Sequence, residues 1–304
     1  MICVVGPTAI GKTSLGIKIA QHFGAEILSA DSRQIYRHMA IGTAAPTPSE
    51  QHAATHHFVN FLEPSTTYSA GDFEKDSLAF LSNYFKSHSV AVLVGGSGLY
   101  VKGLIDGFDS LPFDPSIRAT LNARLLTSGL PTLAAELLHL DPTHHAIIDP
   151  HNPQRVIRAL EVCLTSGKPF SSFHTNTPSS RPFDILQIGL QAPRSIINER
   201  IQSRTQTMLA SGWLDETKSL LKYKESNPEC NSLKTVGYRE LIAHLEGQTT
   251  LDAAINRIII STRQFAKRQM TWFKKDSRIV WFDYTETDQA LQHALTFVRK
   301  IVNL

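Results

Sequence analysis

The chain has 304 residues, of which 42% are hydrophobic and 19% charged, with a formal net charge of +3. This composition is typical of a folded globular protein and excludes an intrinsically disordered one. No apolar run reaches the ~18–20 residues needed to cross a bilayer. The first residues lack an export signal, and the 3 cysteines, widely spaced, fit neither a disulfide framework nor a zinc site. We therefore expect a cytoplasmic protein without a membrane segment.

The opening run ICVV leads into GPTAIGKT at residues 6–13, and apolar residues at helical spacing follow. Gly6, Gly11, Lys12 and Thr13 satisfy the P-loop spacing G-x-x-x-x-G-K-[ST]. The glycines let backbone N–H groups face a phosphate, Lys12 adds a mobile cation and Thr13 a hydroxyl for Mg²⁺. The motif by itself predicts a nucleotide-binding, ATP-binding type of site.

Further along the chain, apolar runs at 25–32, 90–98 and 183–190 predict buried strands, and "RIVWF" at 278–282 is a candidate for another. The residues at 72–85 have the pattern of a helix. Strands that alternate with helices predict a parallel sheet covered on both faces.

Three features follow the carboxyl ends of predicted strands, where ligands bind in such sheets: the P-loop, Asp31 and the "GGSG" turn that contains Ser97. From position alone, Asp31 is a water-mediated metal ligand, a base, or the cap of the next helix. Ser97 marks either a close backbone approach to a ligand or an ordinary turn.

Residues 114–167 have helical patterns and no convincing strand, and a Ser/Pro/Thr-rich stretch at 171–182 predicts a loop. The segment "SIRATLNARLL" and the segment "LPTLAAELLHL" read as two helices. We therefore predict an α/β fold: a P-loop NTPase-like core of residues 1–111 and 181–304, whose parallel sheet is flanked by helices, with a helical insertion domain at 112–180.

Positive charge is concentrated late in the chain. Residues 1–193 carry 13 basic and 15 acidic side chains, whereas residues 194–278 carry 15 basic and 9 acidic ones. Such a segment indicates a polyanionic partner, although a solvated surface explains the charge alone equally well. Arg200 and Arg204 lie one helical turn apart, and either could reach a phosphate or pair with an acid at the surface.

Many of these cations lie on one face of a helix predicted late in the chain. At ~100° per residue, its cations fall within one arc of about 140°: Arg257, Arg263, Lys267, Arg268, Lys274 and Lys275. The opposite, apolar face is predicted to comprise Ile258, Ile259, Phe265, Ala266, Met270, Trp272 and Phe273. Because no acid interrupts the cations, the pattern favours nucleic acid over a merely solvated face.

Eight segments together resemble the tRNA dimethylallyltransferases of the bacterial type, in the family's order and over nearly the whole chain. They are "GPTAIGKT", "SADSRQIYRHMAIGTA", "HHFVNFLEPSTTYSAGDF", "LVGGSGLYVKGL", "NPQRVIRALEV", "RTQTMLASGW", "TVGYRE" and "TRQFAKRQMTWF". The resemblance implies transfer of a dimethylallyl group from dimethylallyl diphosphate to N6 of the adenosine 3′ to the anticodon, with diphosphate released.

The same resemblance implies roles for particular residues. Asp31, Ser97 and Arg204 are expected to be catalytic, and Thr13 to hold Mg²⁺. The diphosphate is expected on Thr8, Ala9, Ile10, Gly11, Lys12 and Thr13.

The implied partner is the tRNA anticodon stem-loop, bound by a monomer whose target base leaves its stack to enter the core. The residues expected to contact tRNA are Asp31, Ser32, Arg33, Gln34, Ser97, Arg118, Gln154, Arg155, Val156, Ile157, Arg158, Lys234, Thr235, Val236, Gly237, Tyr238, Arg239, Lys267, Arg268, Gln269, Met270, Thr271, Trp272, Phe273 and Lys274.

The chain departs from the family pattern at Ile10, where Ser is usual, and at Ala40 and Ala45, where Asp and Lys are usual. Ser97 replaces Thr, and Gln206 replaces a common acid. Two other functions stay open: a P-loop kinase acting on a nucleotide or small metabolite, and an RNA-binding protein that uses the loop as a nucleotide switch. A kinase has no need of the cationic helix, and the switch leaves Asp31 and the insertion without a role.

Overall fold

The computed structural model describes residues 1–173, 179–228 and 230–302. The chain forms two compact units, one of residues 1–106 and 181–304 and one of residues 107–180. The first boundary therefore lies at 106/107, against 111/112 from the sequence, and the second lies at 180/181 in both. Among the described residues, no helix is long and apolar enough to cross a membrane.

The larger unit is built on one sheet of six parallel strands, in the order β3-β2-β4-β1-β5-β6. The strands are β1 Ile2–Val5, β2 Ile27–Ala30, β3 His56–His57, β4 Val92–Gly95, β5 Leu186–Gln191 and β6 Ile279–Asp283. The predicted α/β fold with a parallel sheet is confirmed.

Helices of the larger unit connect its strands and cover its sheet, whereas the helices between residues 115 and 166 belong to the smaller unit. In chain order the helices are α1 Lys12–Phe23, α2 Pro48–Ala53, α3 Ala70–Tyr84, α4 Gly98–Asp106, α5 Pro115–Leu140, α6 Pro142–His145, α7 Pro153–Ser166, α8 Arg194–Ala210, α9 Trp213–Ser219, α10 Leu221–Ser226, α11 Tyr238–Leu245, α12 Leu251–Phe273 and α13 Thr287–Val302.

Alternation along the central strand explains why both faces of the sheet are covered. Ile2 and Val4 of β1 belong to one buried apolar cluster, and Cys3 and Val5 to another. The first cluster includes residues of α1 and α13, and the second includes residues of α3 and α4. Since successive side chains of a strand point to opposite faces, a strand buried on both sides is apolar throughout.

The smaller unit is helical, as the sequence predicts, and its described residues contain no strand. The two helices predicted between 116 and 140 form one stretch, α5, broken at Gly129, where φ is 77°. Buried side chains of α5, such as Leu133 and Leu137, share an apolar cluster with those of α7. Of the loop predicted at 171–182, residues 174–178 lie outside the described residues.

Candidate active site

The P-loop joins β1 to α1 and needs glycine at both of its ends. Gly6 has φ 146°, and a Cβ there would lie 2.7 Å from the carbonyl oxygen of Leu190. Gly11 precedes α1 with φ 107°, in a region that side chains other than glycine rarely adopt. Ile10, the residue that replaces the family's usual Ser, is 2% exposed and packs in the core. The departure at Ile10 therefore removes a hydroxyl from the loop but leaves its two glycines and Lys12 in place.

Lys12 stands at the first turn of α1 with its ammonium inside the loop. Its Nζ donates a hydrogen bond to the carbonyl of Pro7 at 2.8 Å. Burial lowers the pKa of Lys12 to about 8, Asp31 acts in the opposite direction, and Arg204 lowers it further. A bound diphosphate would stabilise the charged form, so the site is poised to bind an anion.

Arg200 and Arg204 both project from α8 to the P-loop, but to different atoms. Arg204 Nη2 donates to Thr8 Oγ1 at 2.5 Å, and burial lowers the pKa of Arg204 while Asp31 raises it. Arg200 Nη1 donates to the carbonyl of Ile10 at 3.1 Å, and its guanidinium lies 4.5 Å from the centre of the Tyr284 ring. Within the described part of the chain, neither arginine pairs with an acid at the surface, which was the alternative left open by the sequence.

Asp31 directly follows β2, at the same edge of the sheet as the P-loop. Its Oδ1 accepts a hydrogen bond from the backbone N–H of Arg33 at 2.9 Å. Among the residues that the structure describes, the other carboxylate oxygen has no hydrogen-bond partner. One oxygen thus holds the turn, and the second is left to accept a proton or a hydrogen bond from a ligand.

Ser97 lies behind this turn. Its Oγ accepts from the backbone N–H of Ser32 at 2.9 Å and donates to Ser32 Oγ at 3.2 Å, and its own N–H donates to Ala30 O at 3.1 Å. The Ser97 hydroxyl therefore joins the end of β4 to the Asp31 turn. The predicted catalytic role of Ser97 stays a prediction.

Gln269 of α12 joins the P-loop to the glycine turn after β4. Its Oε1 accepts from Thr8 N at 2.8 Å, and its Nε2 donates to the carbonyl of Gly96 at 3.0 Å. Gln269 is 5% exposed, and a Cβ on Gly96 would lie 2.2 Å from its Nε2. Sequence reasoning assigned Gln269 to tRNA contact, whereas both ends of its amide are occupied inside the protein.

The residues around the loop line one cavity of about 670 Å³, here called the P-loop cavity. Lys12, Thr13, Asp31 and Arg204 all face it, and residues 40–48 form one of its walls. Ala40 and Ala45, the other departures from the family pattern, lie in that wall.

An Mg²⁺ ion fits this cavity. The ion is commonly held by one or two protein oxygens together with phosphate oxygens and water. The Thr13 hydroxyl lies beside Lys12 at the start of α1, and the Asp31 carboxylate lines the same space. The described part of the chain contains no cluster of three His, Cys, Asp or Glu side chains that could hold a metal by themselves.

On α12 the structure separates the predicted RNA-facing residues into two sets. Phe273 is buried with Gln269 and Met270 is half-buried, whereas the exposed set comprises Lys267, Arg268, Thr271, Trp272 and Lys274. The periodicity placed Trp272 on the apolar face, and this was wrong: Trp272 is 39% exposed. A Cβ on Gly98 would lie 2.2 Å from its indole nitrogen, so the ring covers that glycine.

The segment 234–239 is also divided. Thr235, Gly237 and Tyr238 are buried, and the Tyr238 hydroxyl donates to Glu216 Oε1 at 2.6 Å. Lys234 and Arg239 are exposed, and Arg239 Nε donates to Glu240 at 2.8 Å. In the turn after β2, Arg33 Nη1 donates to Asn231 O at 2.9 Å, while Gln34 Nε2 donates to Ala44 O at 2.9 Å.

In the smaller unit, buried Glu161 holds two of the predicted RNA-contacting arginines. Arg118 and Arg158 both donate to its Oε2, the latter at 2.6 Å. Burial alone raises the pKa of Glu161, but the hydrogen bonds from the two arginines keep it below its usual value. Val156 and Ile157 are buried in the apolar cluster of this unit, whereas Gln154 and Arg155 are exposed.

Comparison with known proteins agrees with this geometry. A family model described as IPP transferase matches residues 34–276. A tRNA dimethylallyltransferase of Christiangramia forsetii is 48% identical over 290 residues, 95% of each chain. Another, of Flavobacterium johnsoniae, is 43% identical over 300 residues, 96% of each chain.

Solved structures show the same fold. The tRNA isopentenylpyrophosphate transferase of Bacillus halodurans matches with a TM-score of 0.72 at 32% identity, covering 98% of this chain and 96% of its own. A eukaryotic dimethylallyltransferase, described as acting on tRNA, matches with a TM-score of 0.83 at 25% identity, covering 100% of this chain and 78% of its own.

Replacing Gln269 with Leu should destabilise the protein, because Thr8 N–H and Gly96 C=O would then be buried without partners. We expect the free energy of unfolding in urea to fall by about 2–4 kcal/mol, since each orphaned group costs ~1–3 kcal/mol. Gln264→Leu, the same change at an exposed position of α12, should shift it by less than about 0.5 kcal/mol. Equal effects of the two substitutions would contradict the bridging role.

Proposed function

The chain belongs to the IPP transferase family, and we propose that the P-loop cavity is where this prenyltransferase moves a dimethylallyl group from dimethylallyl diphosphate to tRNA. The acceptor is N6 of the adenosine directly 3′ of the anticodon, and diphosphate is released. The names of relatives aligned over nearly the full chain support this reaction over the phosphoryl transfer of a kinase.

The observation that carries the proposal is the grouping of Lys12, Arg204 and Asp31 around one cavity. Two cations suit a departing diphosphate, and a carboxylate with one unoccupied oxygen suits an amine that must lose a proton. A kinase also uses the loop and its lysine. Kinase activity would, however, give no role to the exposed cations of α12, the helix whose Gln269 contacts the P-loop.

Some of these residues act on the leaving group and others on the nucleophile. As the allylic C–O bond breaks, its electron pair passes to the diphosphate, whose growing charge Lys12, Arg204 and the loop N–H groups stabilise. The lone pair of adenine N6 forms the new C–N bond, and Asp31 accepts the N6 proton. Because the amine is a weak nucleophile, stabilising the leaving group is the larger part of catalysis. Water must be kept from the allylic carbon.

Mg²⁺ is the proposed cofactor: the Thr13 hydroxyl would hold it beside the diphosphate, and it would supply Lewis-acid stabilisation of the leaving group. The proposed RNA surface of the larger unit comprises the exposed side chains of α12 with Lys234 and Arg239. In the smaller unit, Arg118, Gln154, Arg155 and Arg158 are proposed to contact the anticodon stem-loop. We further propose that the enzyme acts as a monomer, and in the cytoplasm because its substrate is tRNA.

Asp31→Asn tests the base directly. Asparagine keeps the oxygen that binds Arg33 N–H, so the turn should survive, but its side chain accepts no proton. We expect transfer to tRNA to fall by about 10²–10⁴-fold, the usual contribution of a general base. The dissociation constant for tRNA should stay within about twofold. Asp288→Asn, at an exposed ion pair with Lys18, is the matched control.

If tRNA binding and transfer fell together in Asp31→Asn, the carboxylate would position the RNA rather than accept a proton.

Donor binding should depend on the charge of Lys12. Since burial holds its pKa at about 8 in the free protein, affinity for dimethylallyl diphosphate should be high below pH 8. It should decline by up to about tenfold per pH unit above that, because binding must then restore the proton. Calorimetric titration from pH 6.5 to 9.5 measures this directly.

Lys12→Arg serves as the comparison, since guanidinium stays charged throughout this range. Whatever its absolute affinity, its pH profile should be flatter than that of the unsubstituted enzyme. Identical profiles would mean that Lys12 does not titrate at the site.

The basic surface of α12 should be visible in salt dependence. Lys267→Ala combined with Arg268→Ala should weaken tRNA binding and reduce the slope of log K against log [salt] by about one to two units. Arg299→Ala with Lys300→Ala, an adjacent exposed pair on α13, should leave the slope unchanged. Equal slopes for both double variants would show that the α12 cations are only solvated.

A further inference from the structure

Residues 40–46, here called the wall segment, form one side of the P-loop cavity. Ala40 and Ala45 carry no polar side-chain atom, and Ala44 has a left-handed backbone with φ 52°. Within the segment the Thr43 hydroxyl donates to the carbonyl of Met39 at 2.6 Å, and the other hydrogen bonds that hold it are made by its backbone. Short turns stabilise it internally, with Ala45 N donating to Ala40 O at 3.0 Å and Ala44 N to Ile41 O at 3.0 Å.

The carboxylate of Glu216 on α9 fixes this segment from behind. Its Oε2 accepts from Ile41 N at 2.9 Å, and its Oε1 accepts from Gly42 N at 3.0 Å. The Tyr238 hydroxyl donates to the same Oε1 at 2.6 Å. In the described part of the chain, Glu216 has no cationic partner, so these three donors satisfy its charge.

Packing at Gly42 requires glycine where the wall segment meets Glu216. A Cβ there would lie 2.0 Å from Trp213 Nε1 and 2.5 Å from Tyr238 Cζ, so only glycine fits. Trp213 and Tyr238 are both buried, and their rings meet edge to face at 5.9 Å. The front of the segment is tied to the Asp31 turn, because Gln34 Nε2 donates to the carbonyl of Ala44.

We infer that Glu216 is a positioning residue for prenyl transfer. It touches no reacting atom; its carboxylate holds the wall segment so that the P-loop cavity stays closed around the donor. The inference rests on the proposed function, since a closed wall matters most for an allylic carbon that water can capture. Release of Ile41 and Gly42 would admit water to that carbon.

Water capture gives a measurable side product. Water forms a C–O bond to the allylic carbon, the bond to diphosphate breaks, and a proton is released, leaving an allylic alcohol and free diphosphate. The fraction of consumed donor that appears as alcohol rather than in tRNA reports how well the wall is held. A substitution that merely lowered the amount of folded enzyme would leave this fraction unchanged.

Glu216→Gln is the test. The amide keeps one acceptor oxygen, but its NH₂ group must face a backbone N–H of the wall. With dimethylallyl diphosphate radiolabelled in the prenyl group, Mg²⁺ and unmodified tRNA, we expect the alcohol fraction and the donor KM each to rise about tenfold, the loss of a hydrogen bond to a charged acceptor. The tRNA dissociation constant should stay within about twofold.

Tyr238→Phe removes one donor to Glu216 and the hydroxyl that accepts from Gly42 N–H at 3.1 Å, but it leaves the Glu216 carboxylate and the ring in place. It should therefore change the same quantities in the same direction by less. It also carries the test if the Glu216 variant does not fold. Glu246→Gln, at an exposed carboxylate paired with Lys224, is the matched control.

Unchanged partitioning and KM in Glu216→Gln, or in Tyr238→Phe where that variant carries the test, would overturn the inference, as would weaker tRNA binding with unchanged partitioning. Failure of the unsubstituted enzyme to label tRNA would instead overturn the proposed function.

Discussion

The proposed site depends on two half-buried cations, Lys12 and Arg204, that lie together at one edge of a parallel sheet. Lys12 and Arg204 are both made less basic by burial, and both are supported by the nearby carboxylate of Asp31. An arrangement of this kind is stabilised when an anion binds. The same three groups then suit a reaction in which negative charge grows on a leaving diphosphate while a proton leaves an amine.

The side chains that stabilise this site come from distant parts of the chain. Gln269 ties the P-loop to the turn after β4, Arg200 binds the carbonyls of the loop, and Glu216 holds the wall of the cavity. Each of them lies on a helix of the second part of the core, after the insertion. The helix that presents cations to solvent is also the helix whose buried face reaches the P-loop, so the proposed donor and RNA surfaces share one helix.

The local features of the site were predictable from sequence. The P-loop and Asp31 follow strands whose apolar runs are unambiguous, and their placement at one sheet edge follows from parallel topology. Gln269 and Glu216 were not predictable in their roles, because their partners lie 261 and 175 residues away along the chain. Helical periodicity identified the cationic face of α12 but misplaced Trp272, since a ring near the helix end can cover a glycine turn while staying exposed. The break of α5 at Gly129 agrees with the two separate helices that the sequence predicts on either side of it.

We propose that the P-loop holds the diphosphate of a prenyl donor rather than a nucleotide. The most direct test supplies the pure protein with Mg²⁺, prenyl-labelled dimethylallyl diphosphate, an excess of ATP, and unmodified tRNA whose anticodon is followed by adenosine. We expect label on N6 of that adenosine, one diphosphate released per label, and ATP unconsumed. Unlabelled tRNA together with hydrolysis of ATP or transfer of its phosphate would contradict it.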